Sequence, residues 1–332
     1  MGLGDTVYLD YPGDRVAAMV IGGMTVVERI LREAASAGAS RAVIRGDGCH
    51  LPVLPPLPID VTIVPLASPV PPDARTVRGD VIANVEVRDD ESRRLASRAL
   101  FQTCRRPYDG IGDRYVIRAI SLRLTSVMCR LGLTPNQVTT VNILIGLVAC
   151  GFAGPFGGSR QAFALAGALM FLQIVLDSCD GELARIRHLS SRFGMWLDNT
   201  SDDVIDNLFI AMLGVGLGGI WLPIGVAAAC ARGACCLMIH IAVARLGKPG
   251  DIMVFRWWFD EADEALAERF DTKMSVLGLL RAVGRRDLYV LLWSAFCVAG
   301  LPVVALGLGV AISAIYFSLM LVHLAVVRRA KA

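Results

Sequence analysis

Asp177-Ser-Cys-Asp180-Gly181-Glu-Leu-Ala184-Arg185, eight further residues, and then Gly194-Met-Trp-Leu-Asp198-Asn-Thr-Ser-Asp202 is the stretch that decides how this chain is read. Its flanks, residues 163–176 and 208–217, are almost purely apolar. Ionisable groups within such segments are costly and mark functional sites. Asp177, Asp180 and Ala184 fall on one helical face, as do Gly194, Asp198 and Asp202, because residues three and four apart are neighbours on a helix. Two helices facing each other with these stripes would gather four carboxylates. Four acids repel unless a cation sits among them, and oxygen ligands of this kind suit Mg²⁺ or Mn²⁺. Gly181, Ala184 and Gly194 are small enough to let a backbone or a ligand come close. Arg185 offers a planar fork of donors that matches phosphate. The pattern points to a metal-assisted diphosphate site. A solvated charged loop would have no reason to keep helical spacing on both arms.

The 332 residues are 55% hydrophobic and 19% charged, with mean hydropathy +0.56, which is too apolar for an ordinary soluble domain. The apolar residues concentrate after Thr134 in runs of about 20, the length that crosses a bilayer. Six spans are expected, at 137–157, 161–184, 194–218, 220–246, 287–306 and 308–327. The acidic stretch interrupts the second and third, which is tolerated where a polar cavity is lined. Arginine and lysine gather before the first span, between the second and third, between the fourth and fifth, and after the sixth; the opposite connections hold little beyond Arg160. That bias places both termini and the aspartates on the cytoplasmic side of an inner or plasma membrane. It also accounts for the net charge of +3 without a nucleic-acid partner. The nine cysteines are scattered, with no C-x2-C pair, so neither a zinc site nor a disulfide frame is expected. Met1 to Arg15 carries acids, glycine and proline rather than an apolar core, so no cleavable signal peptide is expected.

Residues 1–104 read as a small cytosolic α/β domain and residues 105–332 as the membrane-embedded part. In the former, Val26–Ala35 has helical spacing, and Arg41–Arg45, Val61–Leu66 and Val81–Val87 read as strands separated by proline-rich loops. Residues 111–131 put Ile117, Ile120, Leu124, Val127 and Leu131 on one face and Arg114, Arg118 and Arg130 elsewhere, the pattern of an interfacial helix. Gly214-Val-Gly216-Leu-Gly-Gly219 matches G-x-G-x-x-G but follows no strand, so close helix packing is the better reading. Arg232, inside the fourth span, needs a reason to be there. It either reads a phosphate or polyol on a second substrate or snorkels to the surface. Arg256 beside Trp257 and Trp258 reads mainly as an interfacial anchor.

The run D-x2-D-G-x2-A-R-x8-G-x3-D-x3-D, with every position filled, resembles the signature of the CDP-alcohol phosphotransferase family. Leu133 to Thr139 is similar to that family's entry into its first spanning helix, and Tyr108-Asp-Gly110 and Arg118 to Arg123 to the approach. The resemblance covers roughly residues 105–330. It implies a membrane all-α fold of six transmembrane helices preceded by an amphipathic interfacial helix. It implies a transferase of phospholipid biosynthesis. A substituted phosphate would move from a CDP-linked donor, such as CDP-diacylglycerol, to a small alcohol acceptor, with CMP released. Asp177, Asp180 and Asp198 would hold one or two Mg²⁺ or Mn²⁺ ions, and Asp202 would complete the metal site or act as general base. Arg185 would hold phosphate, Gly181 and Ala184 would let the nucleotide approach, and Asn136 and Thr139 would meet the cytidine. A homodimer and an acceptor of the inositol phosphate type are also implied. Met24 to Ile44 resembles the first helix and second strand of sugar-nucleotidyltransferase-like domains, to which some family members are fused. The basic, glycine-rich loop of the active forms is missing, which implies an inactive relative of that domain. Two alternatives remain: an inactive member serving as a membrane partner, and a cation transporter, in which the signature's Gly, Ala and Arg would have no purpose.

Overall fold

The structure, a computed structural model, describes residues 6–106, 109–258 and 285–331. Tyr108 and the basic residues Arg269, Lys273 and Arg281 lie outside the described residues. The chain divides into two compact units.

The first unit comprises residues 6–106, 122–134 and 181–189. Its elements are β1 (Thr6–Asp10), α1 (Asp14–Ala17), β2 (Val20–Ile21), β3 (Met24–Thr25), α2 (Val26–Ser36), β4 (Arg41–Arg45), β5 (Asp60–Val64), β6 (Arg75–Arg78), β7 (Val81–Ile82), β8 (Val85–Glu86) and α3 (Asp90–Gln102). A four-stranded sheet runs in the order β5-β4-β1-β6 with all pairs parallel, Thr6 opposite Arg41 and Arg41 opposite Asp60. Strand alternation buries Val7 and Leu9 of β1 and Ala42 and Ile44 of β4. The connection from β1 to β4 carries α2, whose Val27, Ile30, Leu31 and Ala34 are buried as the spacing predicts. Thr25 caps that helix, its hydroxyl accepting from the Glu28 amide at 3.3 Å. The strand read at 81–87 is instead the hairpin β7–β8. Its turn residues Ala83 and Asn84 have φ of 48° and 64°, the left-handed geometry a two-residue hairpin turn requires.

The second unit comprises residues 109–121, 135–180, 190–258 and 285–331. It is helical: α5 (Pro135–Ala153), α7 (Arg192–Leu217), α8 (Trp221–Arg245), α9 (Arg286–Val298), α10 (Pro302–Lys331) and most of α6 (Arg160–Ile186). A π-helical turn at Asp113–Ile117 leads into α4 (Arg118–Arg130), which runs on into the first unit. Within the second unit α7 is the hub, packed on α5, α8 and α10. Small residues permit the close crossings. A Cβ on Gly214 would stand 2.6 Å from the Trp221 carbonyl and 3.0 Å from the Gly225 Cα, and one on Gly146 would stand 2.7 Å from Ile205. The G-x-G-x-x-G run is therefore a helix-packing feature.

Helices α5, α6, α8 and α10 are long and apolar enough to cross a membrane. The other two expected spans differ in kind. Helix α7 has 26 residues but carries Arg192, Asp198, Asp202, Asp203 and Asp206. The span expected at 287–306 is broken: α9 stops after 13 residues, Gly300 takes φ +79°, and Pro302 opens α10. At about 1.5 Å per residue α9 reaches about 20 Å, short of an apolar layer of about 30 Å.

Candidate active site

The acids stand where helical spacing puts them. Asp177 lies on α6, and Asp198 and Asp202 lie one turn apart on α7, which Ser191 caps by accepting from the Gly194 amide at 2.9 Å. One carboxylate oxygen from each of the three lies within 4.8 Å of the others. Asp180, 4% exposed, accepts from the Thr139 hydroxyl at 2.6 Å. Asn136 sits against Gly194, its side-chain oxygen 3.1 Å from where a Cβ there would be.

Around the cluster are polar residues that spacing alone did not reveal. Arg286, at the start of α9, reaches Asp202 at 2.7 Å and Asp177 at 3.0 Å through Nη1, and Asp206 at 3.3 Å through Nε. Its Nη2 donates to the Gln173 side-chain oxygen at 3.2 Å, and Gln173 Nε2 donates to Asp202 at 3.3 Å. Asp206 is fully buried and accepts from the Tyr289 hydroxyl at 2.6 Å and from Arg232 at 3.2 Å. Arg232 also donates to Asn207 at 3.0 Å and to Tyr289 at 2.7 Å, so this guanidinium is engaged inside the helix bundle. The signal for Asp206 was present in sequence, four residues after Asp202 on the same stripe. Nothing in local spacing signals Arg286, Gln173 or Tyr289.

The donor set fits a hard divalent cation. Three carboxylates converge with too little positive charge among them. The buried Asp198 Oδ1 has no hydrogen-bond partner among the described residues, so an acceptor is left over where a ligand atom is needed.

Gly181, Ala184 and Arg185 belong to the last turns of α6, in the first unit. A Cβ on Gly181 would meet only the Arg185 Nη1, at 3.4 Å, so the chain's own packing does not require glycine there. Arg185 lines a cleft of about 480 Å³ with Arg29, Glu33, Asn84, Thr103 and His188. The fully buried Arg29 ties this turn down, donating to the carbonyls of Ile186 at 2.7 Å and Ile21 at 2.9 Å. Glu182 is also fully buried and accepts from Thr125 at 2.7 Å. His188 ends the helix in a left-handed conformation, φ 49°. Burial, with Arg29 and Arg32 close by, pushes its imidazole down to about 4, so it is neutral at physiological pH. Burial raises the Glu33 carboxyl, against the opposing pull of Arg29.

Comparison with known proteins agrees with this chemistry. The chain is similar to the bifunctional IPC transferase and DIPP synthase of Thermococcus kodakarensis, 34% identical over 105 residues, or 32% of this chain and 23% of that protein. It is 36% identical to the archaetidylinositol phosphate synthase of Pyrococcus horikoshii over 98 residues, 30% of this chain and 48% of that one. It is 33% identical to the phosphatidylinositol phosphate synthase of Mycobacteroides abscessus over 104 residues, 31% of this chain and 46% of that one. The chain thus spans about a quarter to a half of these relatives' lengths. The model of the CDP-alcohol phosphatidyltransferase family matches residues 132–327, well over half of the chain and the whole of the acidic signature. This protein belongs to the CDP-alcohol phosphatidyltransferase family.

Proposed function

We propose that this protein is an integral membrane phosphotransferase that moves a substituted phosphate from a CDP-linked lipid to a phosphorylated inositol-type alcohol, releasing CMP. The observation that carries the reading is the convergence of the Asp177, Asp198 and Asp202 carboxylates within 4.8 Å. The relatives' names, which are those of enzymes making inositol phosphate lipids, support the acceptor class. In this reading all six long or interrupted helices lie in the membrane, α4 rests at its surface, and the aspartates open to the cytoplasm. The functional form is a homodimer, and residues 1–104 act as a cytosolic domain without nucleotidyltransferase activity.

Asp177, Asp180, Asp198 and Asp202 would hold one or two Mg²⁺ or Mn²⁺ ions. Such an ion supplies neutralisation of the diphosphate oxygens and of the leaving CMP. The chain's own groups do the rest. The Thr139 hydroxyl fixes the Asp180 carboxylate. Gln173 and Arg286 orient Asp202. Asp202, as base, would accept the acceptor hydroxyl's proton while that oxygen attacks the phosphorus farther from cytidine. Arg185 would hold a phosphate, Gly181 and Ala184 would leave room for the nucleotide, and Asn136 would meet the base. Positioning and electrostatics carry most of such a transfer. Arg232 would support the acceptor side through Asp206 and Tyr289 rather than by direct contact, since its donors are engaged.

The test is CMP release by purified protein in detergent with Mg²⁺ or Mn²⁺. CDP-diacylglycerol is offered with inositol phosphate, inositol, glycerol phosphate or serine, and Asp202→Asn serves as control. Release with inositol phosphate, reduced at least about a hundredfold in the variant, is expected for loss of a catalytic base. Release with none of the four, or an unimpaired variant, would contradict the reading.

A further inference from the structure

We infer that α3 and α4 together form a docking groove for the headgroup phosphates of anionic membrane lipids. The two helices border an open groove of about 560 Å³ within the first unit. Arg93, Arg94 and Arg98 line it from α3, and Arg123 and Arg130 from α4. Arg93 is paired with Asp90 at 3.0 Å. Arg94, Arg98, Arg123 and Arg130 are exposed and have no ion-pair or hydrogen-bond partner among the described residues. Four unpaired guanidinium groups around one groove repel one another, and an anionic occupant is the missing complement. Planar donor forks favour phosphate oxygens in particular.

The apolar residues narrow the source of that phosphate. Phe101 and Leu122 line the groove, Leu95 of α3 and Val127 of α4 are each 50% exposed, and Leu131, just past the end of α4, is 69% exposed. Helix α4 turns Ser121, Thr125 and Cys129 inward and leaves Val127 outward beside the exposed Arg123 and Arg130. Arginine heads beside exposed aliphatic side chains suit the boundary between headgroups and acyl chains. A soluble phosphate compound would explain the arginines but not Leu95, Val127 and Leu131. The position in the chain agrees, since four residues separate Arg130 from Pro135, the first residue of a helix able to span. Basic clusters next to a span attract anionic lipid. The inference rests on the membrane reading of α5 and is independent of the phosphotransfer reaction.

Full-length protein in a neutral detergent would be mixed with phosphatidylglycerol or phosphatidylcholine and bound lipid measured by native mass spectrometry. Wild type would be compared with a variant carrying Arg94→Gln, Arg98→Gln, Arg123→Gln and Arg130→Gln. The expected result is a preference for phosphatidylglycerol that weakens with salt and falls at least about tenfold in the variant, with phosphatidylcholine binding unchanged. A variant that keeps the wild-type preference overturns the proposal. So does competition by inorganic phosphate as effective as that by the anionic lipid. If the fourfold variant melts earlier than wild type, the single variants Arg98→Gln and Arg123→Gln replace it, each expected to weaken phosphatidylglycerol binding about fivefold.

Discussion

At the scale of single residues, Gly181 and Arg232 make opposite predictions. Gly181 has room for a methyl group, its nearest obstacle being the flexible Arg185 side chain at 3.4 Å. Gly181→Ala should therefore leave the melting temperature unchanged while raising KM for the CDP-linked donor about tenfold, the size of one lost close contact. Steady-state CMP release beside a thermal melt separates the two effects, and unchanged kinetics would refute the donor role. Arg232 is 5% exposed and shares its donors among Asp206, Asn207 and Tyr289. Arg232→Ala should leave Asp206 buried with less positive charge and destabilise the fold by about 3–5 kcal/mol. Denaturant unfolding in detergent checks this. A variant as stable as wild type with a raised KM for the acceptor would restore the direct substrate-reading role. The convergence of Asp177, Asp198 and Asp202 was legible in sequence because helical spacing is a local, covalent property, whereas Asp180, expected in the same group, is held by the Thr139 hydroxyl. Arg286 was not legible, because it reaches Asp177 and Asp202 through space from a helix far downstream, and periodicity carries no information about such an approach.

At the scale of elements, the legible ones were those whose periodicity is strong. Helix α2 and strand β4 lie within a residue of their expected bounds, because apolar side chains recur at one clear period in each. Helix α3 was missed because DESRRLASRALFQ is rich in charge and has only a narrow buried stripe of Ala96 and Leu100. A signal was nonetheless present: Asp89 and Ser92 form a reciprocal capping box, with the Asp89 carboxylate accepting from the Ser92 amide at 2.8 Å. Strand β1 is only five residues long and its partners lie far along the chain. The break that Gly300 and Pro302 introduce near the end of the fifth expected span was not legible, because hydropathy does not register it. The crossing of α7 and α8 offers a direct test of packing. A side chain at Gly214 would run into the Trp221 carbonyl and Gly225, so Gly214→Leu should destabilise by about 1–3 kcal/mol or more, whereas a Cβ at Gly307, on the helical backbone of α10, meets no neighbouring atom and Gly307→Ala should be tolerated. Comparable melting temperatures for Gly214→Leu and wild type would show that the close crossing is absent.

At the scale of the whole molecule, acid stability has a named contributor. His188 is held neutral in the folded chain, its imidazole pushed from the ordinary 6.5 down to about 4, chiefly by burial. Between those values the unfolded chain binds the proton and the folded chain does not. The contribution is fully present above about pH 6.5 and is lost as pH falls towards 4. Melting temperatures from pH 7 to pH 4 should fall more steeply for wild type than for His188→Gln, and parallel curves would remove His188 from the account.

The central claim is that the acidic cluster is a divalent-cation site on which the chemistry depends. The most direct measurement is Mn²⁺ binding to the full-length protein in detergent, followed by electron paramagnetic resonance. The account predicts saturable Mn²⁺ binding that Mg²⁺ displaces and that Asp177→Asn combined with Asp198→Asn abolishes, with the melting temperature of that variant close to that of metal-free wild type. Mn²⁺ bound with the same stoichiometry and affinity by wild type and by the double variant would contradict it.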